Sequence, residues 1–136
     1  MIPTFQSCVV CESIRPELQG KLILLGFFGV CPNVEVALQH LDQPAVLTFL
    51  LSGGPGDGTF FASFDILDES NQQPVVAAAP VQFFALPNAG THLATTLLVT
   101  FGHTGQFSLR CIIDGIERFR GAFRVKQGPP PSLQPA

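Results

Sequence analysis

Apolar and polar residues alternate along most of this chain with the period of two that is typical of β-strands. Runs rich in Phe, Val, Ile, Leu and Thr are separated by short segments rich in Gly, Pro, Asn and Asp, and helical periodicity is scarce. The pattern predicts eight strands, at residues 4–13, 21–31, 45–51, 59–67, 74–86, 91–101, 105–113 and 116–126. We therefore expect an all-β fold, an antiparallel β-sandwich of seven to nine strands that is immunoglobulin-like or C2-like.

One domain is expected from the length of 136 residues. Residues 1–127 form the predicted single β-sandwich domain, and residues 128–136 form a Pro-rich tail that we expect to be mobile. Between the second and third predicted strands, residues 35–41 have room for one helical turn. In the fifth predicted strand, Pro80 removes a hydrogen-bond donor, which predicts an edge position or a bulge that splits the strand in two.

Alternation also predicts which side chains face the core. For four of the strands, the expected core residues are Phe60, Ala62, Phe64, Ile66, Leu93, Thr95, Leu97, Val99, Phe101, Phe107, Leu109, Cys111, Ile113, Phe119, Phe123 and Val125. Burying each large apolar side chain contributes roughly 1.5–3 kcal/mol. Since a slip of one residue would turn all of them to solvent, these residues fix the register of the strands.

The last two predicted strands form a hairpin whose loop decides which faces meet. A two-residue turn would place Cys111 opposite Arg118, so that apolar and charged faces would coincide. A three-residue loop at residues 113–115, ending in a glycine in the left-handed position of a G1 bulge, places Leu109 opposite Phe119 instead. We therefore expect the bulged loop.

Residues 22–31 are apolar on both faces of the strand that they are predicted to form. An antiparallel sheet with one face in water shows one polar face, so something must cover the second face here. A second subunit would do so, and large exposed apolar patches usually mark such contacts. We expect a homo-oligomer, a dimer, with a monomer capped by its own segment 32–44 as the alternative.

Charge is sparse in this chain: 7 basic and 10 acidic residues give a net charge of −3. Five of the basic residues fall within residues 110–126, and the binding residues that we predict on this basic face are Arg110, Arg118, Arg120 and Arg124. An acidic protein partner is one candidate for this face, and internal salt bridges or plain solvation are the alternatives. Nucleic acid is not expected, because the chain is net negative and has no Tyr or Trp on which bases could stack.

No catalytic constellation stands out in the sequence. The histidines His40, His92 and His103 lie in a loop, at the start of a strand and in a turn, which favours solvated turn histidines. The one acidic cluster comprises Asp65, Asp68, Glu69 and Asn71, and it is more typical of an Asx-type turn than of a Ca²⁺ site. We predict no catalytic residue, no metal site and no cofactor.

The four cysteines are Cys8, Cys11, Cys31 and Cys111. In a strand, the first two point to opposite faces, which does not suit a redox or zinc C-x-x-C motif. We expect buried structural thiols, with a metal site or a redox site as the alternatives.

A cytoplasmic location without membrane contact is expected. The first residues lack the basic and apolar regions of a signal peptide. The longest apolar run, residues 22–31, is about half of the roughly 20 residues that a membrane helix needs.

Two patterns carry a resemblance to a known family. The chain opens with Cys11-Glu12-x-x-Arg15-x-Glu17-x-x-Gly20-Lys21-Leu22-x-Leu24-x-Gly26-x-Phe28 and closes with Gly105-x-Phe107-x-Leu109, Asp114-Gly115 and Phe123-x-Val125. In both it resembles a family of small, free-standing bacterial proteins of unknown function, and its end is similar to the last hairpin of many immunoglobulin-like sandwiches. The resemblance implies a cytoplasmic β-sandwich and assigns no functional residue.

The pattern of faces and the lack of a catalytic constellation together favour one function. We expect a non-enzymatic binding or assembly module that self-associates through an apolar sheet face. The alternative is a small-molecule-binding or hydrolytic protein with its site at one end of the sandwich.

Overall fold

The structure, a computed structural model, describes residues 1–17 and 21–128. Within them the chain is all-β, which confirms the predicted class. Its strands are β1 (Phe5–Cys11), β2 (Ser13–Pro16), β3 (Leu22–Leu25), β4 (Gly29–Val30), β5 (Asn33–Leu38), β6 (Ala45–Gly53), β7 (Gly58–Asp68), β8 (Gln73–Ala77), β9 (Val81–Ala85), β10 (Thr91–Val99), β11 (Gly105–Ile113) and β12 (Ile116–Gln127). The predicted tail beyond residue 128, and Gly20 of the opening pattern, lie outside the described residues.

Ten strands form one mixed sheet in the order β10-β6-β1-β4-β5-β12-β11-β7-β8, and β9 also pairs with β7. The pairs are antiparallel except β5–β12, which is parallel, so the fully antiparallel arrangement is wrong at this pair. The number of strands also exceeds the predicted seven to nine. As predicted, the fifth segment is split at Pro80, which lies between β8 and β9.

Strand β5 lies where the sequence suggested a helical turn at residues 35–41. Val34 and Val36 are buried, whereas Asn33 and Glu35 are exposed, so this short segment has the alternation of a strand. Pro32 and Pro44, which flank the segment, had favoured a loop or a short helical turn. The helical turn is therefore wrong, and the segment joins the sheet beside β4 and β12.

The sheet curls around one hydrophobic core. Strands β6 and β12 are not neighbours in the sheet, yet their rings meet: the centroids of Phe49 and Phe123 are 5.7 Å apart. The predicted core residues are buried, apart from Phe60 and Phe119, which are partly buried and pack against the core. The facing predicted from alternation is confirmed for these strands.

In the last hairpin the apolar and charged side chains lie on separate faces, as predicted, but the turn and the position of the bulge differ from the prediction. Ile113 pairs with Ile116, so the turn has two residues, Asp114 and Gly115, whose φ angles of 54° and 76° are those of a type I′ turn. The register then shifts inside β12, where Arg118 is the extra residue. Cys111 therefore faces Phe119, and the predicted three-residue loop and the Leu109–Phe119 pair are wrong.

Strands β2 and β3 form a separate hairpin, which we call the arm. The arm continues β1 and β4 after a bend at Glu12 and Gly26. Gly26 has a φ of +65°, and the N–H of Glu12 donates to the carbonyl oxygens of Leu25, at 2.9 Å, and Gly26, at 3.1 Å. The prediction that residues 22–31 form one strand is therefore wrong, because half of this segment leaves the sheet at the bend.

No helix in residues 1–17 and 21–128 has the length and apolar character that crossing a membrane would take.

Candidate functional site

The predicted basic face lies on β11 and β12, but only two of its arginines are adjacent. Arg110 is directly opposite Arg120 on the outer side of the sheet. Arg118 is the extra residue of the bulge and is exposed, and Arg124 lies opposite Gln106 further along the hairpin. The structure therefore brings together Arg110 and Arg120 and separates them from the other two.

Carboxylates surround this arginine pair. Nε and Nη2 of Arg110 donate to the carboxylate of Asp65, at 2.8 and 2.5 Å, and these bonds raise the pKa of the guanidinium. Arg120 contacts Glu117 at 2.8 Å and Glu69 at 3.2 Å. Three carboxylates thus meet two guanidinium groups, so the centre of the face carries no excess of positive charge. An acidic partner would have to compete with these internal contacts.

His103, in the turn before β11, and Asp68, the last residue of β7, form an ion pair. Nε2 of His103 lies 2.5 Å from the carboxylate of Asp68, and its Nδ1 lies 2.7 Å from the carbonyl oxygen of Thr104. The hydroxyl and N–H of Ser70 donate to the other carboxylate oxygen, which confirms the predicted Asx-type turn. Because acceptors face both ring nitrogens, the arrangement favours the histidinium ion and leaves neither nitrogen free to act as a general base.

The titration of this pair follows from its contacts. The carbonyl of Thr104, and then the carboxylate of Asp68, raise the pKa of His103. The hydroxyl of Ser70, and to a smaller extent His103, lower the pKa of Asp68. His103 is exposed in its turn, as predicted, but its ion pair with Asp68 was not predicted; His40 is exposed in a loop as expected.

We expect the contribution of His103 to stability to depend on pH. Its raised pKa means that the stabilisation is fully present below about pH 6.5, the ordinary value, and is lost as the pH rises through the folded-state pKa. The difference in Tm between the wild type and His103→Gln should thus be largest near pH 5.5 and shrink towards pH 9. Thermal unfolding across this range measures it, with His40→Gln as the matched control, and a pH-independent difference would contradict the ion pair.

Two of the cysteines lie next to each other, which the sequence did not show. Cys31 follows β4 and faces Cys8 of β1, whose carbonyl accepts the Cys31 N–H at 2.9 Å. A hydrogen bond between the two thiols raises the pKa of Cys8 and lowers that of Cys31. Burial raises the pKa of Cys111 to about 12. Three of the four thiols are buried and all are free, in agreement with the predicted structural role.

A groove runs between β5 and β6, beginning at the bend of the arm. It consists of three adjoining cavities of about 310, 340 and 340 Å³, all lined by Ala37. The first two share Glu12 and Phe28, and the third ends at the loop that carries His40. Across its mouth, Lys126 contacts Glu35 at 2.8 Å, which lowers the pKa of that carboxylate.

The β5 side of the groove presents backbone groups. The carbonyl oxygen of Leu38 accepts the N–H of Gly128, so Leu38 directs its backbone groups towards β12. Since successive residues of a strand direct their N–H and C=O groups to opposite edges, those of Ala37 face the groove. The groove is therefore bordered by a strand edge that can pair with a further strand.

The arm beside this groove exposes apolar side chains on both of its faces. Leu22 is 49% exposed and Leu25 is 42% exposed, and Phe27 at the bend is 57% exposed. Ile23 and Leu24 lie between them, exposed and half-buried respectively. The sequence correctly showed that this segment lacks a polar face. It did not show the bend or the groove, because both depend on where β1 and β4 leave the sheet.

No protein-family model and no curated protein matches this chain. Among solved structures, the chain is similar to the Pseudomonas fluorescens alkylpurine DNA glycosylase AlkC bound to DNA containing an abasic site analog, with 10% sequence identity and a TM-score of 0.44 over 70% of this chain. The chain spans about 28% of the length of that glycosylase chain. A likeness at this level assigns no activity.

Proposed function

We propose that this protein is a non-enzymatic assembly module that self-associates through its arm. The supporting observation is the exposure of Leu22, Ile23 and Leu25 on a two-stranded hairpin outside the main sheet. An isolated two-stranded hairpin is marginally stable at best in water, and it gains stability when another layer covers its apolar side chains. A second copy of the chain supplies such a layer, and the closed symmetry of a dimer lets both arms be covered at once.

The proposal includes an immunoglobulin-like sandwich as the frame that carries the arm. Strands β10, β6 and β1 would form one layer, and strands β5, β12, β11, β7 and β8 the other, with Phe49 and Phe123 meeting between them. The parallel pairing of β5 with the last strand, β12, is compatible with this frame. The four free thiols support a reducing, cytoplasmic setting for the module.

A small-molecule site is the second candidate function. The cavity of about 310 Å³ beside Phe27 and Phe28 is within the size range of ligand pockets, and it combines apolar walls with Glu12 and Lys126. It lies directly at the bend of the arm, so a ligand there would compete with an arm for the same space. Ligand-induced protection of monomers, with no self-association, would favour this candidate.

The arm variant Leu22→Gln/Leu25→Gln tests the proposal. Both arms of the dimer carry the two substitutions, so four leucines are lost; if each contributes roughly 1.5 kcal/mol to association, the dimer should weaken by about 10⁴-fold. Size-exclusion chromatography with light scattering should show a dimer for the wild type and a monomer for the variant at the same concentration. At a concentration low enough for both proteins to be monomeric, the variant should have the Tm of the wild type, because both side chains are exposed in the single chain.

A matched control separates the arm from general surface hydrophobicity. Leu86→Gln/Leu98→Gln also removes two exposed leucines, 58% and 62% exposed, but from positions outside the arm. This control should remain dimeric. A wild type that stays monomeric at high micromolar concentration would overturn the proposed function.

A further inference from the structure

The groove occupies the place that the arm would fill if β1 and β4 continued straight. At Val10, strands β1 and β4 lie side by side between β6 and β5. The last pair of β1 with β6 is Cys11 with Thr48, and beyond it both strands turn away into the arm. The remaining parts of β5 and β6 therefore border a gap whose two missing strands are the arm itself.

We propose that this gap receives the arm of a second copy of the chain, with β2 beside β6 and β3 beside β5. The inference rests on the proposed self-association and adds to it a docking site and a register. Continuing the pairing of Cys11 with Thr48 places Ser13 opposite Val46. Continuing the pairing of Gly29 with Val34 places Leu25 opposite Leu38.

The arm matches the gap in its hydrogen bonding and in its side chains. The backbone groups of Ala37 face the gap, and an added strand would pair with them. In this register Leu25, and Ile23 two residues before it, lie on the same face as Leu38, which packs against the core. The net charges are also compatible: Arg15 pairs with Glu17 and leaves Lys21 next to the arm, whereas Lys126 pairs with Glu35 and leaves Glu12 at the border of the groove.

The geometry of the bend favours the arm of a second copy, rather than the chain's own arm, as the occupant of the gap. Gly26 adopts a left-handed conformation with a φ of +65°, which other residues reach only with strain, so the bend favours glycine. The N–H of Glu12 bonds to two carbonyl oxygens of the bend. These contacts hold each arm away from its own gap and leave that gap open to another arm.

Cross-linking between two variants that each carry one introduced cysteine tests the register. A tagged Ser13→Cys chain is mixed with an untagged Val46→Cys chain, both carrying Cys31→Ser to remove the half-buried thiol. Directly opposite residues in an antiparallel pair have Cβ atoms about 5 Å apart, which allows a disulfide under mild oxidation. We expect a covalent dimer of one tagged and one untagged chain, at least about tenfold more abundant than with Ala94→Cys, an exposed position elsewhere on β10, in place of Val46→Cys.

The outcomes distinguish this inference from the proposed function. If light scattering shows a dimer but the Ser13–Val46 cross-link does not exceed the control, the docking site is wrong and self-association stands. If a single chain carrying both cysteines cross-links only within itself, the arm fills its own gap and the exchange is wrong. If light scattering shows only monomer, both fail together.

Discussion

Replacing Phe123 by alanine is expected to lower the free energy of unfolding by about 3–5 kcal/mol. Phe123 is fully buried, and its ring lies 5.7 Å from that of Phe49, 6.1 Å from that of Phe101 and 6.2 Å from that of Phe107. The substitution removes a large apolar side chain at the point where non-neighbouring strands meet. Urea unfolding at pH 7, followed by far-ultraviolet circular dichroism, measures the loss.

Phe61→Ala is the matched control for this experiment. Phe61 lies on β7 but is 58% exposed, so its truncation removes little buried surface. We expect a change below about 1 kcal/mol. If the two substitutions cost the same, the core is not organised around the Phe123 cluster.

Asp65→Ala is the second substitution with a large expected effect, about 2–4 kcal/mol of destabilisation. Asp65 is buried and accepts two hydrogen bonds from Arg110, whose side chain is 23% exposed. Removing the carboxylate leaves a guanidinium that is only partly hydrated and has lost its closest counter-ion. Denaturant unfolding of the single variant gives the value, and Asp42→Ala, an exposed loop carboxylate, should change it by less than about 0.5 kcal/mol.

The double variant Asp65→Leu/Arg110→Leu shows whether breaking the ion pair causes the loss of stability. Replacing both partners of a buried ion pair by apolar residues is often close to neutral. We expect the double variant to be at least about 1 kcal/mol more stable than the sum of the two single leucine variants predicts. Strict additivity would show that Asp65 and Arg110 do not act together.

The facing of the long strands could be predicted from the sequence because it depends only on local alternation. The predicted core positions of β7, β10 and β11 repeat every second residue, and the structure buries them apart from the half-buried Phe60, although Asp65, Leu67 and Ser108 between them are buried as well. The split at Pro80 was predictable for a similar reason, since proline removes a donor wherever it stands. These features need no knowledge of what lies across the sheet.

The candidate site depends on long-range relations that the sequence does not display. His103 and Asp68 are 35 residues apart, and only the register of β7 with β11 brings the start of one near the end of the other. The last hairpin had two solutions that both separate charged from apolar faces, and the intrinsic preference of Asp114-Gly115 for a type I′ turn selected the one with the bulge inside β12.

For the arm, one feature could be predicted from the sequence and another could not. The apolar character of Leu22–Leu25 on both faces was visible in the sequence, and it indicated that another layer must cover the segment. Its departure from the sheet was not visible, because it depends on the left-handed conformation of Gly26 and on where β1 loses its partner. The groove beside β5 is a consequence of that departure.

Hydrogen exchange of the wild type at low and at high micromolar concentration tests the self-association most directly. We expect the amides of β2 and β3 and the N–H of Ala37 to become much more protected at the higher concentration, because arms then lie in the gaps of other copies. The edge strand β9 serves as the internal reference and should exchange equally at both concentrations. Arms that exchange at the same fast rate at both concentrations would contradict the account.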